Sequence, residues 1–155
     1  MQQTFEILPY SRELQKHFEE INLPWVEGFF SVEPVDQAQF DDPENVIIKK
    51  GGSIIFAKHN EKIVGTVALS KVDHETFEMI KMGVRPEAQG LGIGRALGEA
   101  IIQKAKEMGG KKLILYSNSK LGTALRLYEK LGFRNVIPEE GKYCRCDVKM
   151  EMALL

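Results

Sequence analysis

The chain has 155 residues, of which 43% are hydrophobic and 28% charged, and this composition fits one globular domain with a sizeable core. Its 21 Lys and Arg against 22 Asp and Glu give a formal net charge of −1, so no overall charge attracts nucleic acid or an anionic membrane, and we expect neither as a partner. The apolar runs are far shorter than the roughly 20 residues that cross a bilayer, no signal-peptide pattern is seen, and two cysteines form no disulfide framework, so we expect a reduced, cytoplasmic protein.

The first third of the chain gives a weak pattern of regular structure. We predict a strand at Thr4–Leu8, a helix near Glu13–Ile21 with Ser11 as its N-cap, and a short helix from Asp42-Pro43 to Lys50 that Gly51-Gly52 ends. Residues 22–50 are otherwise expected to be less regular.

The remainder alternates between strand and helix patterns. The predicted elements are a hairpin of Ser53–His59 and Ile63–Ser70, a strand at Thr76–Val84, a helix to about Met108, a strand at Lys112–Ser117, a helix at Leu121–Leu131, a short strand from Phe133 to Ile137, and an alternating strand at Cys144–Met152. This order predicts an α/β fold with an antiparallel start and a central β-α-β-α unit.

The turn between the strand Thr76–Val84 and the next helix carries three glycines at alternate positions, in Gln89-Gly90-Leu91-Gly92-Ile93-Gly94-Arg95. Glycine allows backbone angles that side chains forbid, and it lets a ligand approach the main chain. The free N–H groups and dipole of the following helix favour an anion such as a pyrophosphate. The same residues also suit a plain tight turn packed on the sheet.

Two common nucleotide motifs do not fit this turn. The sequence has no Gly-x-x-x-x-Gly-Lys-Ser/Thr, so it lacks a P-loop. A dinucleotide fingerprint, Gly-x-Gly-x-x-Gly, needs a third glycine three residues after the second. That position holds Arg95 after Gly90-x-Gly92 and Leu97 after Gly92-x-Gly94. A nucleotide-binding domain is therefore weakly supported.

Gln89-x-x-Gly92-x-Gly94 resembles the Arg/Gln-x-x-Gly-x-Gly/Ala motif of the GNAT (Gcn5-related) N-acetyltransferases. Two further matches follow in the family's order, Asn118 just after the next strand and Leu127-Tyr128-Glu129-Lys130-Leu131-Gly132-Phe133 at the end of the next helix. The resemblance implies one α/β (α+β) domain over residues 1–155, with a mixed, mostly antiparallel sheet of about seven strands and about four helices. Residues 22–50 would lie on the acceptor side.

The resemblance further implies that acetyl-CoA is the donor substrate and that its acetyl group passes to a primary amine by direct attack in a ternary complex, without a metal. The glycine turn would hold the pyrophosphate, and the strand backbone near Gly83, a glycine typical of a bulge or a close approach, would bond the pantetheine arm and stabilise the oxyanion. The residues expected to contact the donor are Met82, Gly83, Val84, Gln89, Gly90, Leu91, Gly92, Ile93, Gly94, Arg95, Asn118, Ala124 and Tyr128.

Two side chains are the catalytic candidates. Tyr128 is the family's general acid, and it falls within the apolar face of its helix, where a core tyrosine bonded to a carbonyl is the alternative. Glu78, expected on the same side of its strand as Ile80 and Met82, is the candidate base; a solvated or salt-bridged glutamate fits equally well. Weaker candidates for the base are Glu33, Asp73 and Glu75.

Other features favour structural roles or stay open. Cys144 and Cys146 are expected as buried thiols, and the scattered histidines give no metal site. The aromatic residues Trp25, Phe29 and Phe30 fit an acceptor pocket or helix packing equally well. The resemblance implies a small-molecule or peptide amine as the acceptor, and the last strand would suit a homodimer. A non-catalytic acetyl-CoA-binding sensor or scaffold is the alternative function.

Overall fold

A seven-stranded sheet organises the part of the chain that the computed structural model describes, residues 5–139 and 146–154. The strands are β1 (Glu6–Pro9), β2 (Ser53–His59), β3 (Lys62–Lys71), β4 (Thr76–Val84), β5 (Lys112–Ser117), β6 (Arg134–Val136) and β7 (Val148–Ala153). The α-helices among these residues are α1 (Gln15–Phe29), α2 (Pro34–Asp41), α3 (Ile93–Glu107) and α4 (Gly122–Leu131). The strand order is β1-β2-β3-β4-β5-β7-β6, with β4 and β5 parallel and the other pairs antiparallel, which confirms the predicted fold class.

The strand predictions in the second half are largely confirmed, since β2, β4 and β5 occupy the predicted residues. β7 begins at Val148 and not at Cys144, which lies outside the described residues. The predicted alternation holds from Val148 onward, because Val148, Met150 and Met152 all contact the core.

The first helix begins and ends at other residues than predicted, at Gln15 and Phe29. Ser11 makes no side-chain cap and precedes a 3-10 turn at Arg12–Leu14, and α1 then continues to Phe29 with Pro24 inside it. The buried residues Phe18, Ile21, Asn22 and Val26 keep helical spacing across the proline. Burial of this stripe outweighs the loss of one backbone donor at Pro24.

The segment before β2 is more regular than predicted. Glu33 and Asp36 form a capping box at the start of α2. The helix expected from Asp42-Pro43 is a π-helical turn at Glu44–Ile48, where Asp42 Oδ1 accepts the Asn45 N–H at 3.3 Å. Both pieces pack beside α1 on one face of the sheet.

Apolar side chains divide the core between the two faces of the sheet. On one face α1 and the turn Glu44–Ile48 cover a cluster of Phe18, Ile21, Phe40, Ile47, Ile54, Phe56, Ile63 and Ala68. On the other face α3 covers the larger cluster, which includes Val67, Phe77, Leu97, Ile101, Leu113 and Met150, and α4 packs against it. None of the helices described combines the length and apolarity of a membrane span.

Candidate active site

The sheet opens between its two parallel strands. β4 and β5 pair at Thr76–Lys112, Phe77–Leu113 and Glu78–Ile114, and in the described part of the chain the pairing stops there. Beyond Glu78 the described part of β4 no longer pairs with β5, while β5 continues to pair with β7 on its other side. Free strand edges hydrogen-bond extended ligands, so the predicted pantetheine site has a matching backbone edge.

A β-bulge lies in β4 immediately beyond this opening. The register runs Ala68–Ile80 and then Thr66–Gly83, so two residues of β4 face one of β3, and Lys81 has a left-handed φ of 53°. The extra residue changes the alternation of side chains. Ile80 packs on the α1 face and Met82 on the α3 face, so the prediction that Glu78 shares a face with both was wrong for Met82.

The opening forms a cleft lined from both faces of the sheet. β4 and β5 contribute Glu78 to Met82 and Leu115 to Asn118. The side chains that join them from the helices and from the segment before β7 are Trp25, Phe30, Val35, Gln39, Leu121, Tyr128 and Cys146. Tyr128, Glu78, Asn118 and Met82, which the sequence analysis selected, therefore meet at one cleft.

Tyr128 projects from α4 into the cleft from the α3 face. Its ring packs edge-on against Phe133 at a centroid distance of 6.2 Å and contacts the core cluster. Burial raises the pKa of Tyr128 to about 12, and among the described residues neither a hydrogen bond nor a charge contributes to that shift. The phenol is therefore protonated at neutral pH, and the carbonyl partner expected of a core tyrosine is not seen within the described chain.

Glu78 is buried, with 7% of its surface exposed, and lies at the last position where β4 pairs with β5. Tyr116 of β5 is in the same cleft wall; it donates its hydroxyl to Glu139 Oε2 at 2.5 Å, and Lys149 pairs with the same carboxylate. Burial, then the bond to Glu139, raises the pKa of Tyr116, and Glu78 adds to that shift. Lys149, followed by Tyr116, lowers the pKa of Glu139 to about 2 by hydrogen bonding.

Gly83 is explained by the approach of α1. A Cβ at this position would lie 2.9 Å from Asn22 Oδ1 and 3.1 Å from Trp25 Nε1. These two atoms are themselves hydrogen-bonded at 2.8 Å, which fixes the indole at the cleft. The bulge is at Lys81 and not at Gly83, and the close approach seen at Gly83 is that of α1. Contact between the Gly83 backbone and the pantetheine arm stays a prediction.

The glycine turn has the backbone of an anion site. Gly90 and Gly92 have left-handed φ of 84° and 85°, and no described atom lies within 4 Å of a Cβ built on either. Gly92 caps α3 without a side-chain hydrogen bond in the described structure, so the first N–H groups of α3, those of Ile93 to Arg95, lack intrahelical acceptors. No acidic residue occupies the first turn of α3. The backbone and charge at this end therefore suit a pyrophosphate.

The other predicted donor-contacting side chains have individual positions. Gln89 Nε2 donates to Val84 O at 3.0 Å across the start of the glycine turn, and the side chains of Leu91 and Ile93 pack in the core. Arg95 is exposed and pairs with Glu99 at 2.9 Å. Asn118 lines the cleft and accepts the Lys120 N–H at 2.9 Å, and Ala124 is half-buried on α4. The glycine turn is not part of the cleft wall; β4 connects the two.

The weaker candidates for a base have structural positions outside the cleft. Asp73 accepts the backbone N–H groups of Glu75 and Thr76 at 2.9 Å, and Glu75 pairs with Lys111. Glu33 belongs to the capping box of α2. Within residues 5–139 and 146–154 no group of three His, Cys, Asp or Glu is arranged to hold a metal.

Two features of the cleft were missed by the sequence analysis. Lys81, at the bulge, forms an ion pair with Asp36 of α2 at 2.7 Å, and both side chains are buried. Gln39, also on α2, lies in the cleft wall. Asp36, Gln39 and Phe40 are buried on α2 at i, i+3 and i+4 spacing, which was the available signal.

Comparisons with known proteins agree with this fold and relate the chain to acetyltransferases. The model of the acetyltransferase (GNAT) family matches residues 14–133. N-acetyltransferase 8B of Homo sapiens is 29% identical over 99 residues, which cover 61% of this chain and 44% of that protein, so the chain matches less than half of this relative's length. A GNAT-family acetyltransferase of Staphylococcus aureus Mu50 superimposes with a TM-score of 0.86 at 24% identity, covering 98% of this chain and all of that one. A GNAT-family acetyltransferase of Elizabethkingia anophelis, crystallised with acetyl-CoA bound, gives a TM-score of 0.73 at 25% identity, covering 97% of this chain and 98% of that one.

Proposed function

This chain belongs to the acetyltransferase (GNAT) family, and we propose that it transfers the acetyl group of acetyl-CoA to a primary amine by direct attack in a ternary complex. The observation that carries the proposal is the cleft between β4 and β5, which brings a protonated, half-buried Tyr128 and a buried Glu78 to one opening from opposite faces of the sheet.

The donor would be held by backbone groups. The N–H groups at the start of α3 would bind the pyrophosphate, because they have no intrahelical acceptors and face no acidic side chain in that turn. The edge of β4 around Met82 to Val84, which does not pair with β5, would bond the pantetheine arm as an added strand. A backbone N–H of the same edge would then stabilise the oxyanion that develops on the thioester carbonyl.

The acceptor would enter from the side of α1 and α2. An alkylamine with a pKa near 10 is almost fully protonated at pH 7, so it must lose a proton before it attacks. Glu78 would take that proton, directly or through a water. The C–N bond then forms at the carbonyl carbon, the C–S bond breaks, and Tyr128 donates its phenolic proton to the leaving thiolate. The nitrogen loses its second proton as the amide forms, and this proton returns to Tyr128, while the proton that Glu78 took is released to solvent.

The test is thiol release from acetyl-CoA against a panel of small amines and peptide amines, with Tyr128→Phe beside the native protein. We expect release with one class of acceptor and a loss of about 10²-fold in kcat for Tyr128→Phe, the lower end of the range for general acid catalysis. The affinity for acetyl-CoA, measured by calorimetry, should change little. Tyr10→Phe is the matched control, because Tyr10 bonds Gln15 and Glu44 outside the cleft.

Three other outcomes would contradict parts of this proposal. Turnover that is unchanged in Tyr128→Phe removes Tyr128 as the acid. Binding of acetyl-CoA without release to any acceptor favours a sensor or scaffold domain, and absence of binding refutes the assignment of the glycine turn.

A further inference from the structure

Gln39 carries a buried polar atom that the fold leaves without a partner. Its side chain is 9% exposed, it lies in the wall of the cleft, and its Oε1 makes no hydrogen bond with any described residue. A buried carbonyl oxygen in this state lowers stability, because it has lost water and gained nothing in return. Such groups in a binding cleft indicate a hydrogen bond that a ligand completes.

The other polar side chains of α2 are already bonded. Asp36 pairs with Lys81 at 2.7 Å and accepts the Glu33 N–H at 2.9 Å. Gln37 points away from the cleft and donates to Asp41 at 2.7 Å. Gln39 therefore differs from its neighbours on the same helix, and helix capping or surface pairing does not explain it.

The side chains around Gln39 describe the ligand that would complete the bond. Trp25, Phe30 and Val35 supply apolar surface to the same cleft, and Glu78 supplies a buried carboxyl. The Trp25 indole is held by Asn22 at 2.8 Å, so this wall is preorganised. The wall thus combines an apolar surface, a carboxyl group and an unfilled hydrogen-bond acceptor.

Resting on the proposed function, we propose that Gln39 determines acceptor specificity. Its Oε1 accepts a hydrogen bond from a second N–H or O–H donor of the acceptor, while the reacting amine lies at Glu78 and the apolar body contacts Trp25 and Phe30. The substrate class is then a primary amine on an apolar body that also carries a hydrogen-bond donor, such as an amide N–H. A site built for such a donor rejects the analogue that lacks it, because the buried carbonyl then stays unpaired.

The experiment compares two acceptors in two proteins. The benzylamide and the benzyl ester of glycine differ at the N–H, and kcat/KM for each is measured with the native protein and with Gln39→Met. Differences in the intrinsic reactivity of the two acceptors cancel in the ratio of ratios, as in a double-mutant cycle. We expect the preference for the amide to fall about tenfold in Gln39→Met, equivalent to about 1.4 kcal/mol, and to fall through KM with kcat nearly unchanged.

Controls separate this role from a structural one. Gln37→Met, a change of the same kind on the exposed side of α2, should keep the native preference. Thermal unfolding should show Gln39→Met at least as stable as the native protein, since it removes an unpaired oxygen. If Gln39→Met does not fold, Gln39→Glu keeps an acceptor oxygen and should keep the preference for the amide.

The outcomes distinguish the two proposals. An equal preference in the native protein and in Gln39→Met, or acetylation confined to amines without a second donor, overturns the role of Gln39 and leaves acetyl transfer in place. No thiol release with any amine refutes the proposed function, and the role of Gln39 with it.

Discussion

The ion pair between Lys81 and Asp36 gives the sharpest stability prediction. Lys81 Nζ lies 2.7 Å from Asp36 Oδ1, with side chains 8% and 0% exposed, so the pair joins the bulge of β4 to the start of α2 in a region with little water. Lys81→Met keeps an unbranched side chain, one atom shorter, on the same left-handed backbone, so strain at φ 53° is similar in both proteins. The change removes the ammonium and leaves the Asp36 carboxylate buried without that charge.

The magnitude follows from the burial of both groups. Removing one partner of a buried ion pair costs about 3–5 kcal/mol, because the remaining charge has no water to solvate it. With an unfolding entropy of about 2.1 cal/mol/K per residue, 155 residues give about 0.33 kcal/mol/K, so the Tm should fall by roughly 9–15 °C. Thermal unfolding followed by circular dichroism at pH 7 measures this change.

A double variant tests whether charge is the cause. Asp36→Asn removes the carboxylate charge and keeps a side-chain carbonyl for the Glu33 N–H, which now donates to Asp36 Oδ2 at 2.9 Å. Lys81→Met combined with Asp36→Asn should therefore recover at least half of the lost Tm, although it carries one more substitution. A Tm of Lys81→Met within about 2 °C of the native value, or a double variant less stable than the single one, would refute the reasoning.

Two further predictions concern the walls of the cleft. Gly83→Ala should lower the free energy of unfolding by about 1–3 kcal/mol and raise KM for the acceptor, because the new Cβ would lie within 3.1 Å of Asn22 and Trp25. Gly28→Ala on α1, where no described atom lies within 4 Å of the new Cβ, should leave stability unchanged or raise it by about 0.4–1 kcal/mol. Equal effects of the two changes in denaturant unfolding would contradict this reasoning. For Tyr128, burial raises the folded-state pKa to about 12 above an unfolded value near 10, so its contribution to stability is complete below pH 10 and is lost as the pH rises towards 12. At pH 11 the native protein should have lost about 1.4 kcal/mol more than Tyr128→Phe relative to pH 8, and parallel losses would show that the phenol is not buried in solution.

The second half of the fold could be predicted because its local signals agree. β4, the glycine turn and α3 follow one another with a sharp change of period, and α3 ends at Glu107, close to the predicted end at about Met108. α1 could not be delimited in this way, because Pro24 is a helix-breaking signal in sequence. Tertiary burial of Phe18, Ile21 and Val26 carries the helix past it, and burial of this kind is not visible in a local pattern.

The candidate site shows the same limit at the level of single residues. Alternation along a strand assigns faces correctly only while each residue has one partner on the neighbouring strand. The sequence analysis placed Glu78, Ile80 and Met82 on one face, and this was wrong for Met82, which lies beyond the bulge. The bulge could not be predicted, because Lys81 is neither glycine nor asparagine, the residues that usually mark a left-handed backbone. The surrounding fold holds Lys81 in this conformation and gives its ammonium group a buried partner on α2. Lys81, which changes the alternation, is thus also the residue that pairs β4 with α2 through Asp36. The same helix α2 places Gln39 in the cleft wall. Loss of the Lys81 pair should therefore raise KM for the acceptor more than it weakens the hold on the donor's pyrophosphate, since the glycine turn and α3 pack on the other face of the sheet.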